Sequence, residues 1–312
     1  MRKYILKRLG IAVITILSIL LILFLMLELM PGTPFNDEKL TVEQKVMLEE
    51  KYGLDDPLLV RFGNYVKLMV QGDFGISYTL QKNMPIAKML KPRVEVTMTI
   101  GLQAVLLGTF VGMILGIIAS LNHNTALDTA ASLISVIGVS VPSYVFALGL
   151  AYLLGYKYHL FPILYNPSNP GISSVMPTIA LSMFTVATVS RFLRSEMLEV
   201  LGSDYILLAK TKGINETSLV IKHGIRNALI PVITVLGPLV VSLMTGSLVV
   251  EKIFAIPGLG NLFVTAIQVN DYNVVIAVAF IYSILFISIM LIIDILYGII
   301  DPRIRLAKEG EH

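Results

Sequence analysis

Apolar residues in this chain come in long unbroken runs. Residues 9–30, 98–121, 127–156, 175–193, 229–250 and 274–300 each approach or exceed the ~20 apolar residues that cross the hydrocarbon of a bilayer. Inside lipid every backbone N–H and C=O must be satisfied within the span, which predicts helices. A membrane barrel would need short alternating segments, and these runs do not alternate. The expected fold class is all-α, a polytopic membrane protein with six transmembrane helices.

Between the first two runs the pattern changes. Residues 31–93 mix charged and apolar positions and carry helix punctuation of their own. Thr41 with Gln44 makes a capping box for a helix that Gly53 would end, and Asp56-Pro57 supplies an N-cap and first-turn proline for the next. In that second helix Leu58, Phe62, Tyr65 and Met69 fall on one face, which should pack on the insert or the membrane edge. A third short helix is expected over 85–90, ending before Pro92.

Two features inside the spans stand out. Gly108, Gly112 and Gly116 recur every four residues, a stripe that lets a second helix backbone approach closely. Pro142 interrupts the unusually long third run in GVSVPSYVF, where it removes a ladder bond. The bend is open to two readings, a structural kink or the lining of a pathway with Ser140 and Ser143 facing it.

Composition agrees with the pattern: the mean hydropathy is +0.80 and 55% of residues are hydrophobic. The absence of cysteine excludes disulfides, thiolate metal sites and cysteine nucleophiles. The start, MRKYILKR before an apolar run, has the look of a secretory signal. The run is too long for one and MLELMPGTP offers no small-residue cleavage site, so a retained span is expected.

The basic residues set the orientation. With the N-terminus inside, thirteen Lys and Arg fall on cytoplasmic ends and loops, against two (Lys157 and Lys252) in the later external loops. Both termini are then cytoplasmic. The other nine lie in the long insert, offset by eight acids, and segments of that length escape the rule.

Resident chemistry is hard to find. There is no Gly-Lys dipeptide, hence no phosphate-binding P-loop; Gly258-Leu259-Gly260 lacks the third glycine of a dinucleotide fingerprint; HExxH and GxSxG are absent. No catalytic residue and no metal ligand set is assigned. Glu28, Asp294 and Glu251 are the acids nearest to spans, each placed to reach the interface or a neighbouring polar group, and none is clearly at mid-bilayer where a proton relay would need it.

One loop breaks the apolar character: DYILLAKTKGINETSLVIKHGIRNALIP, residues 204–231. Ser203 or Asp204 can cap a short helix, and Gly213 fits the left-handed position that ends one. Ala209 and Gly213 match the last Ala and the Gly of the Glu-Ala-Ala-x-x-x-Gly loop, with Leu207 and Leu208 where Glu and Ala would stand. The loop thus resembles the coupling helix of permease subunits from ATP-binding cassette importers. LMPGTPF, KYGLDDPLLVRF, GDFGISY, SVPSYVF, EKIFAIPGLGNLF, DPRIR and the KHGIRNALIP ending extend the likeness over nearly the whole chain, toward the first permease subunit of the oligopeptide, dipeptide and nickel branch.

That resemblance implies an N-terminal helix outside a five-helix type I importer core. It divides the chain into 1–30, an extracytoplasmic helical insert 31–93, a core 94–300 containing the coupling loop 194–228, and a cytoplasmic tail 301–312. It implies a bacterial-type plasma-membrane location and, as partners, a homologous second permease, two ATPase subunits that bind ATP and Mg, and an external peptide-binding protein. No cofactor belongs to this chain, no nucleic acid is involved, and ATP hydrolysis falls to the partners. Asp204, Ala209, Lys210, Lys212 and Gly213 are the expected ATPase-coupling residues, with Gly213 and Ala209 at the tight contact. Ser140, Pro142 and Ser143 are pathway candidates, and Pro257, Gly258 and Gly260 would meet the binding protein. The leading expectation is oligopeptide import. The rivals are dipeptide or nickel-chelate import within the family and, from another class, an ion-coupled secondary transporter. A membrane-embedded hydrolase has no visible nucleophile and base.

Overall fold

A computed structural model describes residues 2–29, 41, 43, 47, 56–244 and 248–300. The helices, in order, are α1 (Arg2–Leu29), α2 (Leu58–Val70), α3 (Ile86–Leu121), α4 (Ala126–Ser140) and α5 (Ser143–Leu150), which runs on as a π turn over Ala151–Lys157. After a single turn at Pro170–Ser173 come α6 (Val175–Leu201), α7 (Asp204–Thr211) and α8 (Glu216–Leu219). A second π turn, Val220–Ile225, leads into α9 (Arg226–Met244), followed by α10 (Leu248–Ile253), α11 (Leu259–Gln268) and α12 (Tyr272–Ile300). Among the described residues four stretches are long and apolar enough to cross a membrane: Ile5–Met26, Ile86–Leu121, Val175–Leu201 and Tyr272–Ile295. The number rises to six if the bent pairs Ala126–Ser140 with Ser143–Lys157, and Glu216–Leu229 with Pro231–Leu243, each count as one span.

Several local expectations are corrected. Pro57 itself occupies the N-cap of α2, so the helix starts one residue later than the Asp56-Pro57 reading and Asp56 makes no capping bond. The short helix expected over 85–90 does not stop at Pro92: α3 runs through it and spans 36 residues in all, and the Arg93 guanidinium donates to the Met89 carbonyl one turn back, 2.8 Å. At Pro142 the chain does more than kink. Val141 and Pro142 are both extended, and the axes of the flanking helices differ by 104°, because proline disfavours helical geometry in the residue before it. Gln44 of the expected capping box, Gly53 and the basic tail after Ile300 lie outside the described residues, as does the side chain of Glu28.

The chain divides into two compact units, Met1–Thr97 with Pro257–Leu291, and Met98–Ile256 with Ile292–His312. In the first, the apolar face of α2 finds a partner. Tyr65 and Met69 are buried against Leu20 and Phe24 of α1 and Ile276 and Phe280 of α12, with the Phe24 ring 5.6 Å from both Phe62 and Tyr65; Leu58 stays exposed. A second cluster joins Ile86, Met89 and Leu90 of α3 to Leu259 and Leu262 of α11 and to Val274 and Val278 of α12. Between these, Asp271 is buried at the start of α12. Its Oδ2 accepts from the Ser77 hydroxyl at 2.5 Å and from the Thr79 and Leu80 amides at 3.0 Å each, which ties the turn at 77–80 to the last long helix.

The second unit is built around α6. The glycine stripe of α3 lies against it so closely that a Cβ at Gly108 would sit 2.6 Å from the Thr185 Cβ, one at Gly112 2.8 Å from the Val186 carbonyl oxygen, and one at Gly116 2.9 Å from that of Ser190. On α4, Gly138 meets Ala187 and the Met183 carbonyl at 2.9 Å in the same way. Side chains fill the rest: Val189, Leu193 and Met197 of α6 are buried with Ala228 and Val232 of α9.

The stripe gives a direct test. Gly112→Leu forces backbone apart and should cost about 1–3 kcal/mol, read as a lower thermal midpoint of the detergent-purified protein. Gly149→Ala, where an added Cβ meets nothing within 4 Å, should leave that midpoint unchanged.

Candidate functional site

The polar loop after α6 folds as a short helical hairpin. Ser203 holds the N-cap position of α7, but its hydroxyl donates back to the Val200 carbonyl at 2.5 Å instead of capping, and its own carbonyl accepts from Ile206 and Leu207. At the other end Gly213 turns left-handed, φ +77°, and the amides of Gly213 and Ile214 reach back to the carbonyls of Lys210 and Ala209. This is the paired-bond C-terminal motif that glycine accommodates without a Cβ penalty. Asn215 then caps α8, its side chain accepting from the Ser218 amide at 2.7 Å.

The hairpin is fastened to the unit it grows from. Ile206, Ala209 and Leu219 form a small buried cluster with Val200, Leu201 and Ile214 around it, and the Asn227 side chain donates to the Tyr205 hydroxyl at 3.1 Å. Asp204, Lys210, Lys212 and Gly213 are exposed; Ala209 is not. The tight outside contact expected of Ala209 is therefore redirected: its methyl packs within this chain, and the apolar groups turned outward are Leu207 and Leu208, at 62% and 56% exposure. Nothing lies within 4 Å of a Cβ built on Gly213, so within this chain the glycine is required by the backbone turn and not by crowding.

Ten residues before the hairpin, Arg194 of α6 grips Asp128 in the first turn of α4. Nε meets Oδ1 at 2.6 Å and the second guanidinium nitrogen meets Oδ2 at 2.8 Å, a fork-to-fork pair on a carboxylate that is 4% exposed. The Asn124 amide donates to the same Oδ2 at 3.0 Å, and His123 Nδ1 lies 3.2 Å from both Asp128 and Arg194. Sequence reasoning counted Arg194 only as a basic loop residue and passed over Asp128, because a separation of 66 positions hides the pairing.

The other expected sites separate. Ser140 and Pro142 are exposed at the break between α4 and α5, with Ser143 half-buried. Of the external trio only Pro257 is at the surface. Gly258 and Gly260 are buried at the head of α11, where the Leu259 amide donates to the Thr97 hydroxyl at 2.9 Å. Among the acids, Glu251 is buried and Asp294 half-buried, and neither lacks an interaction. Among the described residues no cluster of His, Asp or Glu could hold a metal ion.

Residues 112–306, which hold this hairpin, match the family described as binding-protein-dependent transport system inner membrane component. The chain belongs to that family. It is 45% identical to the dipeptide transport system permease protein DppB of Lactococcus lactis, over 98% of this chain and all of that protein. It is 35% identical to the oligopeptide transport system permease protein OppB of Haemophilus influenzae at the same coverage. The fold is also shared with the MetNI methionine ABC transporter in inward-facing conformations, at a TM-score of 0.57 and 16% identity, covering 69% of this chain and 97% of that one. The all-α membrane architecture and the family resemblance expected from the sequence are both borne out, and this inner-membrane component is a multi-pass membrane protein.

Two substitutions probe the hairpin and its base. Gly213→Asn, which tolerates the left-handed turn, should leave the thermal midpoint nearly unchanged, whereas Gly213→Val should cost about 1–2 kcal/mol. Arg194→Ala leaves a buried carboxylate without its partner and should destabilise the protein by about 3–5 kcal/mol. The double variant Asp128→Leu/Arg194→Met should recover most of that loss in a thermal melt.

Proposed function

We propose that this chain is a permease subunit of an ATP-driven importer of short peptides. The observation that carries the reading is the 45% identity to a dipeptide permease along the full length of both chains. A second dipeptide permease, from Bacillus subtilis, stands at 40%, and the oligopeptide permeases at 34–35%, which favours dipeptides over longer peptides as the cargo.

In this reading the chain pairs with a homologous second permease to enclose the pathway, and two ATPase subunits bind ATP and Mg. The α7 hairpin seats in a groove of one ATPase through Leu207 and Leu208, with Lys210 and Lys212 meeting acidic groups beside it. When the ATPases close on ATP the hairpin moves as a rigid body, since it is fastened by the Ile206–Ala209–Leu219 cluster and by the Tyr205–Asn227 bond. The displacement passes into α6, and through the Arg194–Asp128 pair into α4, which leads to the break at Pro142. Ser140 and Ser143 line the route that this break opens, and Pro257 faces the external binding protein.

Affinity purification of the tagged chain from its native membrane tests the assembly. A second permease and two ATPases should accompany it, and deletion of the gene should abolish uptake of labelled dipeptide while sparing nickel. A chain that transports alone in liposomes on a proton gradient would mark an ion-coupled carrier, and loss of nickel uptake in place of peptide uptake would move the cargo to metal chelates.

A further inference from the structure

After Pro142 the chain abandons the direction of α4. Were the stretch from Gly138 to Gly155 one straight helix it would rise about 25 Å. Along α6 it advances only from Met183, whose carbonyl a Cβ on Gly138 would meet, to Met176, whose methyl a Cβ on Gly155 would meet, about 10 Å. Helix α5 and its π turn therefore lie largely crosswise to α6, in keeping with the 104° between α4 and α5. Met176 belongs to the first turn of α6, so Gly155 and the rings beside it stand where that long helix ends, away from the hairpin. The count of basic residues makes this the external end.

Residues 156–165 fold back over this end and are held there. The Leu160 amide donates to the Leu154 carbonyl at 2.8 Å and the Tyr165 amide to the Phe254 carbonyl at 2.7 Å; Ile163 lies 2.7 Å from where a Cβ on Gly155 would be. What stays outward is bulky and amphipathic. Tyr156 is 64% exposed, Leu160 63% and Leu164 57%, with Tyr152 and Tyr158 exposed beside them. The Tyr152 and Tyr156 rings stack at 6.0 Å, and the Lys157 ammonium lies 5.5 Å from the Tyr158 ring centroid. These three phenol hydroxyls and the Lys157 ammonium have no hydrogen bond or ion pair among the described residues.

The chemistry of this surface selects its occupant. Helices that meet each other inside lipid do so over small residues, as the Gly108–Gly112–Gly116 stripe does here. The outward side of α5 and its loop is Tyr and Leu apart from Gly149, which is a poor seam for a second helix. Rings with a polar tip and a lysine with an apolar stem are the side chains that collect where hydrocarbon meets headgroups. Charge agrees, since the sequence holds no acid between Asp128 and Glu196 and the free cation here is Lys157. The opposite end of α6 differs: a groove of about 390 Å³ beside α4 carries both Arg191 and Glu196. We propose that α5 and the loop 156–164 form a lipid-binding surface along the outer interface of the bilayer, with Tyr152, Tyr156 and Tyr158 at headgroup depth, Leu160 and Leu164 in the acyl boundary and Lys157 on a lipid phosphate. The inference does not depend on the cargo.

The test places a photoreactive benzophenone amino acid at 156, 160 or 164 of the full chain in its native membrane. Mass spectrometry should find phospholipid adducts on this chain at all three positions. Crosslinks to another protein in place of lipid overturn the proposal, and so does the absence of any adduct. Depth is read in liposomes from a genetically encoded fluorescent amino acid at 160 of the purified complex. A nitroxide near the lipid headgroup should quench it about twofold or more over one at the acyl end, because an interfacial segment sits only ~5–10 Å into the boundary. Stronger quenching by the deep nitroxide, or none by either, overturns the interfacial placement. Lys157→Glu should lower the shallow quenching and Lys157→Arg preserve it; equal quenching in wild type and Lys157→Glu overturns the phosphate contact.

Discussion

Helix α6 is held at backbone distance on two sides, by the Gly108–Gly112–Gly116 stripe of α3 and by Gly138 of α4. Lipid offers no hydrophobic drive for helices to associate, so close van der Waals packing over small residues has to supply it. A helix gripped in this way cannot slide or bend against its neighbours without losing many contacts together. It behaves as a stiff rod, and the other functional features of the second unit are attached to it.

Those attachments are distributed along its length. The hairpin α7 follows directly from its C-terminal end; Arg194, two turns earlier, reaches across to Asp128 on α4; Arg191 and Glu196 face the open groove. The hairpin, the groove and the base of α4 are therefore joined by one element. The π turn at Val220–Ile225 and the 48° bend in the helix that leaves the hairpin contrast with this stiffness, since irregular helix geometry is where a return segment can flex. The hairpin thus has one rigid arm and one that is bent.

The long helices, the left-handed Gly213 and the family were legible in the residues, because run length, glycine placement and motif order are local properties. Ala209 was misplaced for a related reason. A matched motif position identifies a residue without saying which side of the helix faces its own chain, and here the Leu219 side of the hairpin claims it. Gly258 and Gly260 were expected at an external contact from the resemblance and from their place between the last two spans, whereas both are buried and the Leu259 amide between them bonds to Thr97, far away in sequence. Pro92 and Pro142 have the same local chemistry and opposite outcomes: α3 runs through the first and the chain breaks at the second. Propensity alone cannot separate them, since packing on either side decides whether a lost ladder bond is absorbed.

By itself the sequence determined that this chain is a helical membrane protein, which segments form its long helices, and where a polar handle ended by Gly213 must project. Those are consequences of backbone hydrogen bonding in lipid and of side-chain sterics within a few residues. Only the tertiary structure decided which groups are spent and which are left over. Asp128 and Arg194 neutralise each other across 66 residues, Asp271 takes up Ser77 across 194, and Arg191 and Glu196 remain unpaired beside one groove. Pairing of charges depends on distances of a few ångströms between remote segments, which the order of residues does not fix until the helices have packed.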